Sequence, residues 1–369
     1  MMCTSVHGTR SSRNISSSNI VSAKLVRLKL RCDFSRLTLT SIAYAVQFLF
    51  FPPFTMSAAA AVACTARRST MSAMVKVYRT VPEFREARKL LRKVDTDGKI
   101  LPLLPDVGFV PTMGALHRGH LSLLKRARQE NDVVVCSIFV NPTQFGPNED
   151  LDRYPRQLER DCELLQEVGI EHVFAPSSVE SMYSKYHVTS VDPGICFEQT
   201  EEGKSRPGHF KGVATVVTKL LNIVQPTRAY FGQKDAAQCV LIRRIVNDLN
   251  MSLDIVVGDT VREDDGLAMS SRNAYLSASE RSVAPIIYQS LLKARELFQS
   301  KECVSSCDLI DVVEQTLKTQ PLVREIQYVS VDSRETMQTL TKVHHQEGAI
   351  VSLACKIGSV RLIDNIVLQ

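Results

Sequence analysis

The 369-residue chain has no tryptophan, and its aromatic residues amount to 6%. We find no internal repeat, which excludes solenoids and arrays. No paired cysteine framework exists either. Ten cysteines are scattered, and the closest two, Cys303 and Cys307, have no partner set for zinc. That pattern argues against a disulfide scaffold and for a reduced, intracellular setting. Acids are missing from one end. Of the 45 Lys and Arg and the 39 Asp and Glu, residues 1–82 hold eleven and one, the acid being Asp33, which leaves 34 and 38 for the rest. The positive balance therefore belongs to the extension. The body is net acidic, and no nucleic-acid partner is expected for it. At 44% hydrophobic the chain can build a real core, and its length suits two or three domains.

Residues 1–73 read as an extension, disordered or targeting, outside the folded body. They are rich in Ser, Thr, Arg and Ala, with an uncharged run from Leu37 to Ala66. That run has the length of a membrane span, but Pro52 and Pro53 interrupt it and Gln47 dilutes it. No membrane association is expected. An Arg- and Ser-rich, acid-poor segment fits a mitochondrial presequence better than a secretory signal. Met56, Met71 and Met74 also offer alternative starts that make the extension dispensable. The expectation is a cytoplasmic protein, with a mitochondrial location as the alternative.

The stretch around which the body is organised is Gly108-Phe109-Val110-Pro111-Thr112-Met113-Gly114-Ala115-Leu116-His117-Arg118-Gly119-His120. It reads as a strand end, a glycine turn and a helix starting near His117. Free backbone N–H groups and the positive end of a helix favour phosphate there. His117 and His120, three apart, lie on one face of the first turn, and Gly119 leaves room for a ligand against the backbone. No third Cys, His or carboxylate stands nearby in a metal pattern, so no protein-held metal is expected.

Around this stretch strands and helices alternate. Thr80 is a helix N-cap ahead of Pro82 and Glu83. Residues 133–140 are apolar on both faces, as in a central parallel strand, and end at Asn141-Pro142-Thr143-Gln144. Residues 203–212 read as a basic, glycine-rich loop before a helix over 213–224. Residues 229–231 form a strand feeding Gly232-Gln233-Lys234-Asp235. A helix with Val240, Leu241, Ile245 and Leu249 as apolar positions carries Gln238, and a strand over 254–258 follows. Ser277 to Glu280 is a capping signal for a helix through Phe298. The alternation predicts a Rossmann-like, doubly wound parallel sheet over 74–259. A helix and three strand-like runs then predict a smaller α+β domain over 260–369.

The His-x-Gly-His turn resembles the signature of the adenylyl-transferring superfamily of nucleotidyltransferases and class I aminoacyl-tRNA synthetases. Four motifs in order make the resemblance specific. They are the 111–120 stretch, Phe139 to Phe145, Arg206 to Val213, and Gly232 to Asp235 followed by Asp265 to Asn273. Together they resemble the pantoate–β-alanine ligase family over residues 74–369. The resemblance implies ATP as a substrate with Mg2+, pantoate and β-alanine as the other substrates, a pantoyl-adenylate intermediate, and a homodimer.

It also implies roles. Met113 to His120, including Gly114, Ala115, Leu116, Arg118 and Gly119, match the ATP-binding segment, with His120 at the proton-donor position. Gly232, Gln233, Lys234 and Asp235 match a second ATP segment, Val261 an adenine contact, and Met269, Ser270, Ser271 and Arg272 a mobile phosphate loop. His117, His120, Lys234 and Arg272 are the implied catalytic set. Gln144 and Gln238 match the pantoate pair, Gln144 also the β-alanine contact, and Arg206 and His209 lie on a covering loop. A nucleotidyltransferase reading is disfavoured by the Asn141 to Phe145 and Arg206 to Phe210 motifs. No anticodon-binding domain follows Arg272, which disfavours a tRNA synthetase.

Overall fold

In the central strand Val133–Ile138, four successive residues from Val134 to Ser137 are buried, so neither face meets water. The computed structural model describes residues 74–369 except Val94, Thr96, Pro102, Leu103 and Asn148. The expectations for residues 1–73 (targeting, disorder or an alternative start) lie outside the described residues. Among the described residues no helix is long and apolar enough to cross a membrane.

Eleven strands and ten α-helices are described. The strands are β1 (Lys76–Tyr78), β2 (Val107–Thr112), β3 (Val133–Ile138), β4 (His172–Phe174), β5 (Arg228–Gly232), β6 (Asp254–Gly258), β7 (Cys303–Ser305), β8 (Val323–Asp332), β9 (Lys342–His344), β10 (Ala349–Ile357) and β11 (Val360–Leu368). The helices are α1 (Val81–Leu90), α2 (Arg118–Glu130), α3 (Leu158–Glu167), α4 (Ile195–Glu198), α5 (Glu201–Ser205), α6 (His209–Val224), α7 (Ala236–Asp248), α8 (Ala278–Val283), α9 (Ile286–Gln299) and α10 (Ser306–Lys318).

Strands β1 to β6 form one parallel sheet in the order β1-β4-β3-β2-β5-β6. Helices cover it, as parallel crossovers require. α6 and α7 bring Phe210, Val213, Leu220, Leu241 and Ile242 against one face, while α2 and α3 bring Leu124, Ala127 and Leu165 to a second core. β8, β10 and β11 form an antiparallel sheet in the order β11-β10-β8, covered by α9 and α10 through Leu291, Phe298, Leu309 and Val313.

Local signals work as expected where they are short-range. Thr80 Oγ1 accepts from the Glu83 N–H at 3.3 Å, and Ser277 and Glu280 form a reciprocal capping box. Three readings need correction. The segment 203–212 is mostly helical: Thr200 caps α5 by accepting from Gly203 N–H at 3.0 Å, and α6 already begins at His209. Its glycines serve close packing rather than looseness. A Cβ on Gly203 would lie 2.1 Å from the Phe197 carbonyl oxygen, and one on Gly212 would lie 2.3 Å from that of Thr143. The helix expected from Ser277 through Phe298 is broken between α8 and α9, with Pro285 just before Ile286. Leu249 is 51% exposed, because the chain leaves the helix there. The β7–β9 pair, which joins residues nearly forty apart, has no sequence signal.

Candidate active site

β2 and β5 pair through only two positions, Gly108 with Arg228 and Phe109 with Ala229. The strands then separate toward their C-terminal ends. This is also where the strand order reverses, with β3 and β4 to one side of β2 and β5 and β6 to the other. Such a switch point is the usual crevice for ligands in an open α/β sheet. A cavity of about 230 Å³ lies here, closed on the far side by the 269–272 loop and by Arg361 and Ile363 of β11.

The turn after β2 is held from below by a buried carboxylate. Asp161, on α3, accepts from the backbone N–H of Ala115 at 3.0 Å and of Leu116 at 2.8 Å. Ala115 sits at a φ of 51°, a left-handed conformation that costs a non-glycine residue of order 1 kcal/mol and needs such a clamp. The backbone N–H groups expected to be free for phosphate are therefore largely occupied. Gly114 N–H donates to Thr112 Oγ1 at 3.1 Å, His117 N–H to His120 Nδ1 at 3.3 Å, and Gly119 N–H to His117 Nδ1 at 3.1 Å.

That arrangement decides the chemistry of the two histidines. Each ring accepts at Nδ1, so each neutral ring carries its proton on Nε2. The rings stand 4.0 Å apart, centroid to centroid. Burial, then the charge of Lys234, pushes His117 down to about 4. Burial, then His117 and Lys234, pushes His120 down to about 3. At neutral pH both are uncharged and hold Nε2–H donors beside a cation. Among the described residues Lys234 has no ion-pair partner, and it lines the same cavity. Its backbone is fixed from the other sheet, since Asn365 Nδ2 donates to the carbonyls of Gln233 at 2.9 Å and Lys234 at 2.8 Å.

The 269–272 loop forms the opposite wall. Ser270 Oγ caps a short 3-10 turn by accepting from Arg272 N–H at 3.2 Å. Arg272 makes a two-pronged pair with Asp150 at 2.9 and 2.7 Å, and Tyr154 Oη lies 3.4 Å from Ser271 Oγ. The neighbouring acid, Glu149, holds Arg206 in the same way, at 2.6 Å from both Nε and Nη2. One short segment thus restrains both Arg206 and Arg272.

The remaining wall is built on Gln144. Its Oε1 accepts from Asn141 Nδ2 at 3.0 Å, which leaves its amide N–H2 toward the cavity with only Met113 Sδ near it, at 3.5 Å. His209 Nδ1 donates to the Gln144 carbonyl at 2.8 Å, and its Nε2 accepts from Arg206 Nη1 at 2.9 Å. Burial, then Arg206, pushes His209 down to about 3. Arg206 and His209 therefore brace Gln144. The Gln238 side chain lines the cavity with no hydrogen bond to another described residue.

Of the sequence-derived residues, Met113, His117, Gly119, His120, Gln144, Arg206, His209, Gly232, Lys234, Asp235, Gln238, Val261, Met269, Ser270, Ser271 and Arg272 meet at this one cavity. Gly114, Ala115, Leu116, Arg118 and Gln233 do not reach its wall. The first three shape the turn above Asp161, Arg118 is exposed, and Gln233 Nε2 donates to Asn365 Oδ1 at 3.2 Å. The sequence placed Asn141 in a motif without a role of its own, and did not single out Glu149, Asp150, Asp161, Asn365 or Arg361. Of the last five only Asp161 carried a signal, as an acid on the apolar face of α3. Among the described residues no group of three His, Cys, Asp or Glu is placed to hold a metal ion.

The three cavity histidines, depressed by burial as His172 also is, make stability depend on pH. Below about pH 6.5 the unfolded chain binds protons at these positions that the folded chain refuses, so stability is complete above 6.5 and falls as pH drops toward 4. Urea unfolding at pH 5.5 should show about 3 kcal/mol less stability than at pH 7.5, near 1 kcal/mol per histidine. Equal stabilities at the two pH values would contradict neutral, buried imidazoles.

Comparison with known proteins places this geometry. The family model described as Pantoate-beta-alanine ligase matches residues 76–367. A pantothenate synthetase of Fervidobacterium nodosum is 49% identical over 291 residues, covering 79% of this chain and 99% of that protein. Among solved structures, pantothenate synthetase from Thermus thermophilus is similar with a TM-score of 0.70 and 46% identity, covering 79% of this chain and 99% of that one. A pantoate-beta-alanine ligase from Francisella tularensis, solved in complex with beta-gamma ATP and beta-alanine, is similar with a TM-score of 0.61 and 36% identity, over 80% and 98% of the two chains.

Proposed function

The chain belongs to the pantoate-beta-alanine ligase family, and from that premise we propose that its cavity joins pantoate to β-alanine at the cost of ATP, giving pantothenate, AMP and diphosphate. The observation that carries the reading is the convergence, at one sheet switch point, of two neutral histidines, Lys234, which has no ion-pair partner among the described residues, and the 269–272 loop.

In the first step the pantoate carboxylate attacks the α-phosphorus of ATP. An O–P bond forms, the bond to the β-phosphate oxygen breaks, and diphosphate leaves. Negative charge builds on the phosphate oxygens, so fixed donors there are the main contribution expected of the protein. His117 and His120 supply Nε2–H donors whose direction is set by their Nδ1 bonds. Lys234 supplies a point charge. Ser270, Ser271 and Arg272 face the same oxygens once Arg272 exchanges Asp150 for phosphate. Mg2+ enters as part of the nucleotide substrate, carried by the phosphates. Val261 and Gly232 border the adenosine, with Asp235 beside them. Gln144 and Gln238 hold pantoate through neutral amides. In the second step the neutral amine of β-alanine attacks the acyl carbon, a C–N bond forms, the acyl C–O bond to the AMP phosphate breaks, and AMP leaves as the nitrogen gives up a proton to solvent.

We further propose that 74–259 and 260–369 act as two lobes around this cavity and that two copies form a homodimer. Purified residues 74–369 should exchange labelled diphosphate into ATP only when pantoate is present, and release AMP fully only when β-alanine is added. A chain that makes no AMP from all three substrates would end this reading.

A further inference from the structure

Gln144 offers its amide N–H2 group, rather than its oxygen, to the cavity. The cause lies behind the cavity wall. Asn141 is only 1% exposed, and its side chain bonds on both sides. Its Nδ2 donates to the Gly212 carbonyl of α6 at 3.3 Å and to Gln144 Oε1 at 3.0 Å. Its Oδ1 accepts from Tyr183 Oη at 2.9 Å and from Thr143 Oγ1 at 3.0 Å.

A main-chain carbonyl can only accept, so the Asn141 atom facing Gly212 has to be the nitrogen. The oxygen is then turned toward the two hydroxyls, and the Gln144 atom facing Asn141 has to be Oε1. The Gly212 bond is the longest of these contacts and the Tyr183 bond the shortest. The carbonyl thus decides which atom is which, and the phenol decides where the amide plane stands. Tyr183 is itself firmly placed. It belongs to the core that holds Phe139 and Phe210. Lys219 Nζ lies 5.1 Å from its ring centroid, and the His187 ring stands nearly perpendicular to it at 4.9 Å. Burial raises its hydroxyl above the ordinary value, so it stays protonated and donates at neutral pH. Tyr183 does not reach the cavity wall, whereas Asn141 and Gln144 do.

We propose that Tyr183 is a positioning residue for the acyl donor: its hydroxyl holds the Asn141 amide so that Gln144 keeps its N–H2 group turned to the oxygens of pantoate. This rests on the function proposed above. Tyr183 touches no substrate and acts through two amides in series. Such a chain fixes its last member only when every link is filled. Without the phenol hydroxyl, Asn141 Oδ1 stays buried with Thr143 as its one donor. The Asn141 and Gln144 amides then gain freedom to turn together. In the turned state Gln144 presents an oxygen, which cannot bond a carboxylate.

The test uses pantoate-dependent ATP–diphosphate exchange, a half-reaction that needs no β-alanine. Tyr183→Phe keeps the ring and deletes only the hydroxyl. It should lower kcat/KM for pantoate about 3- to 10-fold, the scale of one hydrogen bond. KM for ATP should move by less than about twofold, as at an uncoupled site. A double-mutant cycle with Gln144→Ala separates positioning from a general weakening of the fold. With Gln144 truncated no amide is left to orient, so adding Tyr183→Phe should change kcat/KM for pantoate by less than about twofold. A further loss as large as in the unaltered background, or no loss from Tyr183→Phe alone, would overturn the proposal. If Tyr183→Phe fails to fold, Thr143→Val strips the other hydroxyl from the same oxygen at an exposed position. It should also lower kcat/KM for pantoate, and that effect should vanish in the Gln144→Ala background. No loss, or a loss undiminished without Gln144, then overturns the proposal. Absence of pantoate-dependent exchange in the unaltered enzyme would instead overturn the function proposed above, and this role with it.

Discussion

His120→Ala should lower turnover about 10²- to 10³-fold, the scale of one donor lost from a developing anion, with a much smaller change in the KM for pantoate. The reason lies in how the imidazole is held. Its Nδ1 accepts from the His117 N–H, so the Nε2–H direction is set before any substrate arrives. Burial and the neighbouring charges keep it neutral, pushed down to about 3. The expected role is therefore that of a fixed hydrogen-bond donor rather than a free cation. His120→Asn, which keeps a neutral N–H donor, should accordingly recover part of the loss. The ratio of wild-type to His120→Ala rates should stay flat between about pH 6 and 9, because the ring does not titrate there. Unchanged turnover in His120→Ala would remove this residue from the mechanism. A ratio that swings with a midpoint near the ordinary histidine value of about 6.5 would replace the neutral donor with a protonated one.

Asp364→Ala should cost about 3–5 kcal/mol of stability, the range for stripping one partner from a buried ion pair. Arg262 Nη1 and Nη2 reach the Asp364 carboxylate at 2.6 and 3.0 Å, and the Asp364 side chain is only 2% exposed. The guanidinium also lies over the Tyr288 ring, 3.5 Å from its centroid. Without Asp364 this charge remains buried and uncompensated. The effect should reach the active site, because Arg262 follows Val261 and Asn365, next to Asp364, holds the Lys234 carbonyl. The urea midpoint should fall with an unchanged slope, and the ATP dependence should weaken as well. The double replacement Arg262→Met with Asp364→Leu should regain much of the stability, since an apolar pair of similar volume can replace a buried ion pair at little cost. A single variant within about 1 kcal/mol of wild type, the scale of an exposed pair, would show that the pair is not buried in the folded enzyme.

The adjacent acids Glu149 and Asp150 give the site a further property. Glu149 holds Arg206, just ahead of α6, and Asp150 holds Arg272 of the 269–272 loop. A triphosphate that draws Arg272 away from Asp150 acts on the same short segment that anchors Arg206 and, through it, the Gln144 carbonyl. The Gln144 wall and the 269–272 wall are thus linked by side-chain contacts rather than by chain order.

Much of this was legible in the residues. β3 reads as a buried parallel strand because Val133 to Ile138 are apolar on both faces, and Thr80 and Ser277 read as caps because capping is settled within three or four residues. The His-x-Gly-His turn and the motifs after β3, β5 and β6 named the surfaces that meet, because ligand-facing residues in such a sheet follow strand ends. What tertiary structure alone decided are contacts between residues far apart in the chain. Asp161 occupies backbone donors of Ala115 and Leu116, Asn365 fixes the backbone of Lys234, and Asp150 holds Arg272. Arg361 comes to the cavity only because β11 packs against the first sheet's switch point. Residue type and spacing report what a segment does with its near neighbours. Which distant carboxylate takes a backbone N–H, and so whether an imidazole or the main chain is left to meet a phosphate, depends on packing that no local pattern encodes.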